Sequence, residues 1–149
     1  MILRAMVEGD AKKAAALDLA MGTPPWSSGM FLEELRLGSH CRVLVGPQGD
    51  LAGFLVARPQ FDEWHIMTLG VARTLRRQGW GRRLVENLLE EADQAGCPKL
   101  LLEVRRSNVG AQALYRALGF TLLHTRRNYY ATRQGREDAL VMTYCCGRG

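Results

Sequence analysis

No run in this sequence approaches the roughly 20 uncharged apolar residues that a membrane-spanning helix needs. The first residues, Met1-Ile2-Leu3-Arg4-Ala5-Met6, soon meet acid at Glu8 and Asp10. A membrane-anchored or secreted chain is therefore not expected, and a cytoplasmic one is. Cysteine is sparse: Cys41, Cys97, Cys145 and Cys146 form no C-x-x-C pair and have no histidine at metal-ligand spacing. That argues against a zinc site or a disulfide framework, and the vicinal Cys145-Cys146 reads as ordinary thiols. Repeats, low-complexity tracts and long linkers are also missing. With 149 residues, 47% of them hydrophobic, the chain suits a single domain over residues 1–149 built around one core. What it has in excess is positive charge, +5 net. Such an excess suits a nucleic acid, a membrane surface or a phosphorylated small molecule, and only its location can choose among them.

Strand-like and helix-like runs alternate along the chain. Ile2 to Met6 reads as a strand, and Ala11 to Met21 as a helix stopped by Gly22 before Pro24-Pro25. Ser27 or Ser28 caps a short helix running through Leu37. Cys41 to Val45 and Leu51 to Arg58 form a hairpin across Gly46-Pro47-Gln48-Gly49-Asp50, and Trp64 to Val71 continues the meander. From Arg82 to Ala95 the residues Leu84, Val85, Leu88, Leu89 and Ala92 make one apolar stripe, ended by Gly96 and Pro98. Leu100 to Val104 suits a buried central strand. Asn108 caps a helix that ends at Leu118-Gly119, and Phe120 to Thr125 with Ala139 to Tyr144 supply a closing hairpin. This order predicts an α/β fold with a mixed sheet between helical layers.

The basic excess gathers where the third meander strand passes into Arg76-Arg77-Gln78-Gly79-Trp80-Gly81 and then a helix. A helix start presents backbone N–H groups and a positive dipole end, and the glycines admit a bulky anion close to the backbone. Arg76, Arg77, Arg82 and Arg83 add charge, so a phosphate is the expected guest. A glycine-rich turn before a helix is about as often just a turn. Neither the Walker A ending nor the third glycine of the dinucleotide fingerprint is present.

At these residues the sequence resembles the GNAT family of acetyltransferases, whose R/Q-x-x-G-x-G/A loop holds the pyrophosphate of acetyl-coenzyme A. The likeness extends over nearly the whole chain, in which Val71-Ala72-Arg73 stands where the family often has Val-x-Pro. A narrower likeness is to the bacterial ribosomal-protein-alanine N-acetyltransferases. It rests on Pro25-Trp26-Ser27, Leu102-Glu103-Val104-Arg105, Ser107-Asn108, Ala113-Leu114-Tyr115, Leu118-Gly119-Phe120, Arg127-Asn128-Tyr129-Tyr130 and Gly135-Arg136-Glu137-Asp138-Ala139. The resemblance implies a mixed, mostly antiparallel sheet with a strand pair splayed to admit the cofactor. It further implies acetyl-coenzyme A as co-substrate and, as acceptor, the α-amine of a protein N-terminus, that of a small-subunit ribosomal protein in the best match. Nucleic acid and membrane are not expected as direct partners, and a monomer or weak dimer is.

An amine attacks a thioester only when neutral, so such chemistry needs a proton acceptor for the nitrogen and a donor for the departing thiolate. Glu103, interrupting an apolar run, is the candidate base, its partial burial expected to raise its basicity; it matches the base of the resembling family. The alternative is a structural ion pair with Arg105 or another cation. Tyr115, whose phenol ordinarily titrates near about 10, is the candidate acid, again as the resemblance implies; taken alone, a helical tyrosine more often packs. Attack is direct, with the carbonyl oxygen held by a backbone N–H around Leu69, Gly70 and Val71. The cofactor loop comprises Arg76, Arg77, Gln78, Gly79, Trp80, Gly81 and Arg82, while Asn108 holds the pantetheine arm, caps its helix, or both. Trp26, Tyr129 and Tyr130 are candidates to wall the peptide pocket, and Asp62 and Glu63 to receive a basic peptide, although a loop aromatic is as often a core edge and an acidic strand start is usually just solvated.

The rival readings are an acetyltransferase for a small-molecule amine, against which the Arg127 to Ala139 segment argues, and a non-catalytic acetyl-coenzyme A-binding or RNA-binding module. An RNA binder would need its arginines in one stripe with exposed aromatics, rather than gathered at a phosphate loop.

Overall fold

The computed structural model describes the chain apart from residues 22–24, 61, 98 and 147–149. The helix stops expected at Gly22, Pro24 and Pro98 lie outside the described residues. In order, the elements are β1 (Ile2–Ala5), α1 (Ala11–Met21), α2 (Ser28–Arg36), β2 (His40–Val45), β3 (Leu51–Gln60), β4 (Glu63–Val71), α3 (Trp80–Gln94), β5 (Lys99–Arg105), α4 (Val109–Ala117), β6 (Thr121–Thr132) and β7 (Gly135–Cys145). The strands form a seven-stranded sheet in the order β1-β2-β3-β4-β5-β7-β6. β1–β2, β2–β3, β5–β7 and β7–β6 are antiparallel, whereas β4–β5 is parallel. This is the mixed, mostly antiparallel α/β fold that the sequence predicts. The β4–β5 ladder covers Glu63, Trp64 and His65 against Lys99, Leu100 and Leu101, while β4 itself runs on to Val71 and β5 to Arg105. Among the described residues no helix is long and apolar enough to cross a membrane.

The chain packs as two compact units, Met1–Pro59 with Met67–Glu90, and Gln60–Ile66 with Glu91–Gly149. In the first, Phe31 sits fully buried between Trp26 and Phe54, with ring centroids 5.3 and 5.2 Å away. Met6, Ala11, Ala14, Cys41, Val43 and Val56 complete that cluster. Ser27 caps α2 by accepting from the Met30 N–H at 3.2 Å, as one of the two expected serines should. Glu34 is buried on α2 yet charged, because Arg58 donates to both of its oxygens and Ser39 donates at 2.6 Å. The apolar stripe of α3 is buried at Leu84, Val85, Leu88 and Ala92.

In the second unit β5 follows a period of two. Leu100, Leu102 and Val104 are buried, whereas Glu103 on the other face is exposed. A strand buried on both faces is therefore not what Leu100 to Val104 forms: strand geometry sends alternate side chains to opposite faces, and only one of these is covered. Tyr115, Phe120 and Tyr144 stack in sequence, 5.6 and 5.4 Å between centroids. The closing hairpin is longer than the hydrophobic pattern predicts, extending through Arg126–Thr132 and Gly135–Asp138. Those added residues are mostly polar, with two tyrosines, and β6 is an exposed edge strand, so no apolar alternation marks them. Around position 128 the register slips: Arg126 faces Ala139 and Tyr130 faces Glu137, leaving Arg127, Asn128 and Tyr129 opposite Asp138.

Candidate functional site

In the first unit, β4 delivers the chain through a single 3-10 turn, Arg73–Leu75, to the loop before α3. Arg77 (φ 64°) and Gly79 (φ 87°) both take the left-handed conformation, so the chain turns sharply there. A Cβ at Gly79 would meet no protein atom within 4 Å, so packing does not demand a glycine there; the backbone conformation does. α3 begins two residues earlier than the stripe predicts, at Trp80, since the Gly79 carbonyl accepts the first helical bond from the Arg83 N–H at 3.0 Å. The N–H groups of Trp80, Gly81 and Arg82 thus precede any intrahelical acceptor. Arg76, Arg77, Gln78, Gly79, Arg82 and Arg83 are exposed around them. An open helix start ringed by guanidinium groups fits a diphosphate. Just upstream, Gly70 is buried in β4, and a Cβ on Gly53 of β3 would stand 2.9 Å from its carbonyl oxygen.

In the second unit, Glu103 leaves the exposed face of β5, and its Oε2 accepts from Arg126 Nη1 at 2.7 Å. The expected burial of Glu103 is therefore not found, for the reason of strand period given above; the ion pair with another cation, weighed as the alternative, is found with Arg126 of β6. The Arg126 guanidinium lies 4.0 Å over the Tyr129 ring, Tyr129 meets Tyr130 edge-on at 5.1 Å, and Arg105 covers Tyr130 at 4.2 Å. Arg105 in turn binds Glu137 at 3.2 Å, and Glu137 accepts from the Ser107 N–H at 3.0 Å. The hydrogen bond to Glu103 pushes the Arg126 guanidinium further up, while burial and then the Glu103 charge push the Tyr130 phenol up.

The register slip supporting these rings is locked by charge. Asn128 has φ 52°; its N–H donates to Asp138 Oδ1 at 3.0 Å, and Arg136 donates to the carbonyls of Asn128 at 2.6 Å and Tyr129 at 3.0 Å. Tyr115 is buried in α4, and burial pushes its phenol well above the usual tyrosine value. Asn108 caps α4, its side chain accepting from the Ala111 N–H at 3.1 Å.

The second unit thus brings Glu103, Tyr129 and Tyr130 into one cluster. Glu63 is already engaged by His65 at 3.1 Å and Lys99 at 3.5 Å, and Asp62 is an exposed turn residue. Trp26 packs its ring on Phe31 at the edge of the core, and its backbone N–H donates to Asp18 Oδ2 at 2.8 Å. Sequence reasoning missed Arg126 altogether; it named Arg105 only as an alternative ion-pair partner of Glu103, and Arg136 and Asp138 only within the resembling motif. For Arg136 and Asp138 the signal lay in the run Arg127-Asn128-Tyr129-Tyr130 with Gly135-Arg136-Glu137-Asp138-Ala139, which gathers two cations and two acids about one turn.

The first unit thus holds a helix start suited to an anion, and the second an exposed carboxylate whose cation partner stacks on paired tyrosines. The model of the acetyltransferase (GNAT) family matches residues 12–120, and the chain belongs to that family of acetyl-coenzyme A-dependent N-acetyltransferases. It is 39% identical over 118 residues to the [ribosomal protein bS18]-alanine N-acetyltransferase of Escherichia coli strain K12, covering 79% of each chain. It is also 36% identical over 145 residues to the N-alpha-acetyltransferase RimI of Mycobacterium tuberculosis, covering 93% of this chain and 88% of that one. Among solved structures, the ribosomal-protein-S18-alanine N-acetyltransferase of Escherichia coli superposes with a TM-score of 0.92 at 33% identity, over 99% of this chain and 95% of the other.

Proposed function

We propose that this enzyme acetylates the N-terminal α-amine of a protein, a small-subunit ribosomal protein beginning with alanine, by direct attack of the amine on acetyl-coenzyme A. The observation that carries the reading is the Glu103 cluster, an exposed carboxylate on β5 flanked by tyrosine rings of β6, in a chain whose relatives are named for alanine N-acetylation of bS18. Acetyl-coenzyme A supplies the acetyl group and the leaving thiol.

In this reading the first unit serves the co-substrate. The amides of Trp80, Gly81 and Arg82, with Arg76 and Arg77, bind the diphosphate, and a backbone N–H around Leu69 to Val71 holds the thioester oxygen as it gains charge. Gln78 shapes the loop, its amide donating to the Thr74 carbonyl at 3.4 Å. Asn108, besides capping α4, meets the pantetheine arm. The second unit serves the amine. Glu103 attracts the α-ammonium and takes its proton, directly or through one water, and Tyr129 and Tyr130 flank the peptide. Asp62 is left to draw a basic peptide, a task for which Glu63 would have to release His65 and Lys99.

Tyr115 gives its proton to the departing thiolate. Burial keeps the phenol protonated at neutral pH, the state a donor needs, and the same dry surroundings make a thiolate more basic. An RNA-binding role is disfavoured by the pairing of Arg105, Arg106 and Arg126 with Glu137, Asp138 and Glu103.

The test is to incubate the protein and acetyl-coenzyme A with alanine-starting peptides, lysine peptides with blocked N-termini and small polyamines, and to find the acetylated product by mass. The alanine peptides should be modified at the α-amine; modification of the polyamines alone would overturn the acceptor class. Glu103→Gln and Tyr115→Phe should each slow turnover on the order of a hundredfold or more while keeping acetyl-coenzyme A affinity.

A further inference from the structure

A glutamate on an open strand face ordinarily samples several side-chain rotamers, and the freedom it gives up when held is substantial. Glu103 is held nonetheless. Its Oε2 accepts from Arg126 Nη1 at 2.7 Å, and Arg126 is itself braced, its planar group resting 4.0 Å over Tyr129. Tyr129 is itself fixed from two sides. Its ring abuts Tyr130, which Arg105 covers, and its carbonyl is gripped by Arg136 across the slipped register. An exposed ion pair of this kind contributes little to folding. So much apparatus around one exposed guanidinium is out of proportion to a stabilising role, but it suits one that sets the direction of a carboxylate. Arginine suits the task better than lysine, since a flat, delocalised cation can stack on a ring and bond at its edge at once.

We infer that Arg126 is a positioning residue for Glu103, holding Oε2 on its edge so that Oε1 is presented to the incoming amine. The inference rests on the reading of Glu103 as proton acceptor and adds the residue through which that acceptor is aimed. Arg126 acts on the amine step alone, so its loss falls on kcat and on the peptide, not on acetyl-coenzyme A. The segment Arg126 to Tyr130 then has a unified purpose: the tyrosines that flank the peptide also support the cation that orients the acceptor.

The test is a double-mutant cycle read by steady-state kinetics with an alanine-starting peptide, Arg126→Ala being joined by Arg126→Gln, Arg126→Lys and Glu103→Gln, and each variant checked for a parental melting curve. Arg126→Ala and Arg126→Gln should lower kcat roughly tenfold to a hundredfold with the KM for acetyl-coenzyme A unchanged. Arg126→Lys should recover part of that loss. In the Glu103→Gln background, removing Arg126 should cost nothing further, because the group it aims is gone. A full additional loss in that background, or parental kcat in Arg126→Ala and Arg126→Gln beside a slow Glu103→Gln, would overturn the inference. A fully active Glu103→Gln would instead remove the proton-acceptor reading, and this inference with it.

Discussion

At Gly53 a single missing methyl group lets two strands approach. A Cβ there would stand 2.9 Å from the Gly70 carbonyl oxygen and 3.2 Å from a methyl of Leu44, and a backbone oxygen cannot yield as a side-chain end can. Gly53→Ala should destabilise the protein by about 1–3 kcal/mol, seen as a lowered urea midpoint. Because the displaced atom belongs to Gly70, beside the backbone proposed to hold the thioester, the variant should also weaken acetyl-coenzyme A binding; an unchanged midpoint would show that the strands part freely. The sequence could not announce this glycine, which lies inside an apolar run with no turn signal around it. Other single residues were legible. Glu103 stood out as an acid in a row of leucines, and Gly79 as a glycine before a helix, though its reason is positive φ. Arg126 was not legible, because its role depends on β6 lying one strand beyond β7 from β5, and chain order does not reveal spatial neighbours.

The hairpin β6–β7 is the element in which pattern reading did least well, and its bulge explains why. Apolar alternation identifies a strand when one face is buried, but β6 lies at a sheet edge and is exposed along nearly all its length. It is held by its ladder with β7, by Asp138 accepting from the Asn128 N–H and by Arg136 donating to two carbonyls, while Glu137 ties β7 to Arg105 and Ser107. By contrast, the helices carried their own punctuation in Ser27, Asn108 and the α3 stripe, and the structure follows it within a few residues. The bulge can be tested through Asn128, whose left-handed backbone costs least for glycine and little for asparagine. Asn128→Ala should lose about 1 kcal/mol by urea titration, whereas Asn128→Gly should stay near the parent. Equal losses in both would mean that the Asn128 side chain, and not its backbone, holds the turn.

Across the whole molecule, a surplus of 20 lysines and arginines over 15 acids means that each acid with a firm cation partner shapes the response to pH. Glu34 is the deepest, 2% exposed. Burial pushes its carboxyl up, but the hydrogen bonds from Arg58 and Ser39 and the charge of Arg58 outweigh that, and the net shift is downward. Asp10 moves the same way, chiefly through its hydrogen bonds from Arg4. A carboxyl depressed by folding stabilises the native state above its unfolded value, near about 4 for these residues. That contribution is lost as pH falls through the lower folded value, so the protein should weaken in acid. Arg58→Met should reverse the sign at Glu34, because only the Ser39 hydrogen bond then opposes burial, the largest of the contributions, and the carboxyl is expected to titrate above the unfolded value. At pH 7 the variant should lose about 3–5 kcal/mol through an unpaired buried charge. Once the pH falls to about 4, Glu34 is protonated in the variant and needs no partner, while the parent is losing its own advantage; the gap between their urea midpoints should shrink. A gap independent of pH would mean that Arg58 stabilises the fold through its aliphatic packing and not by neutralising Glu34.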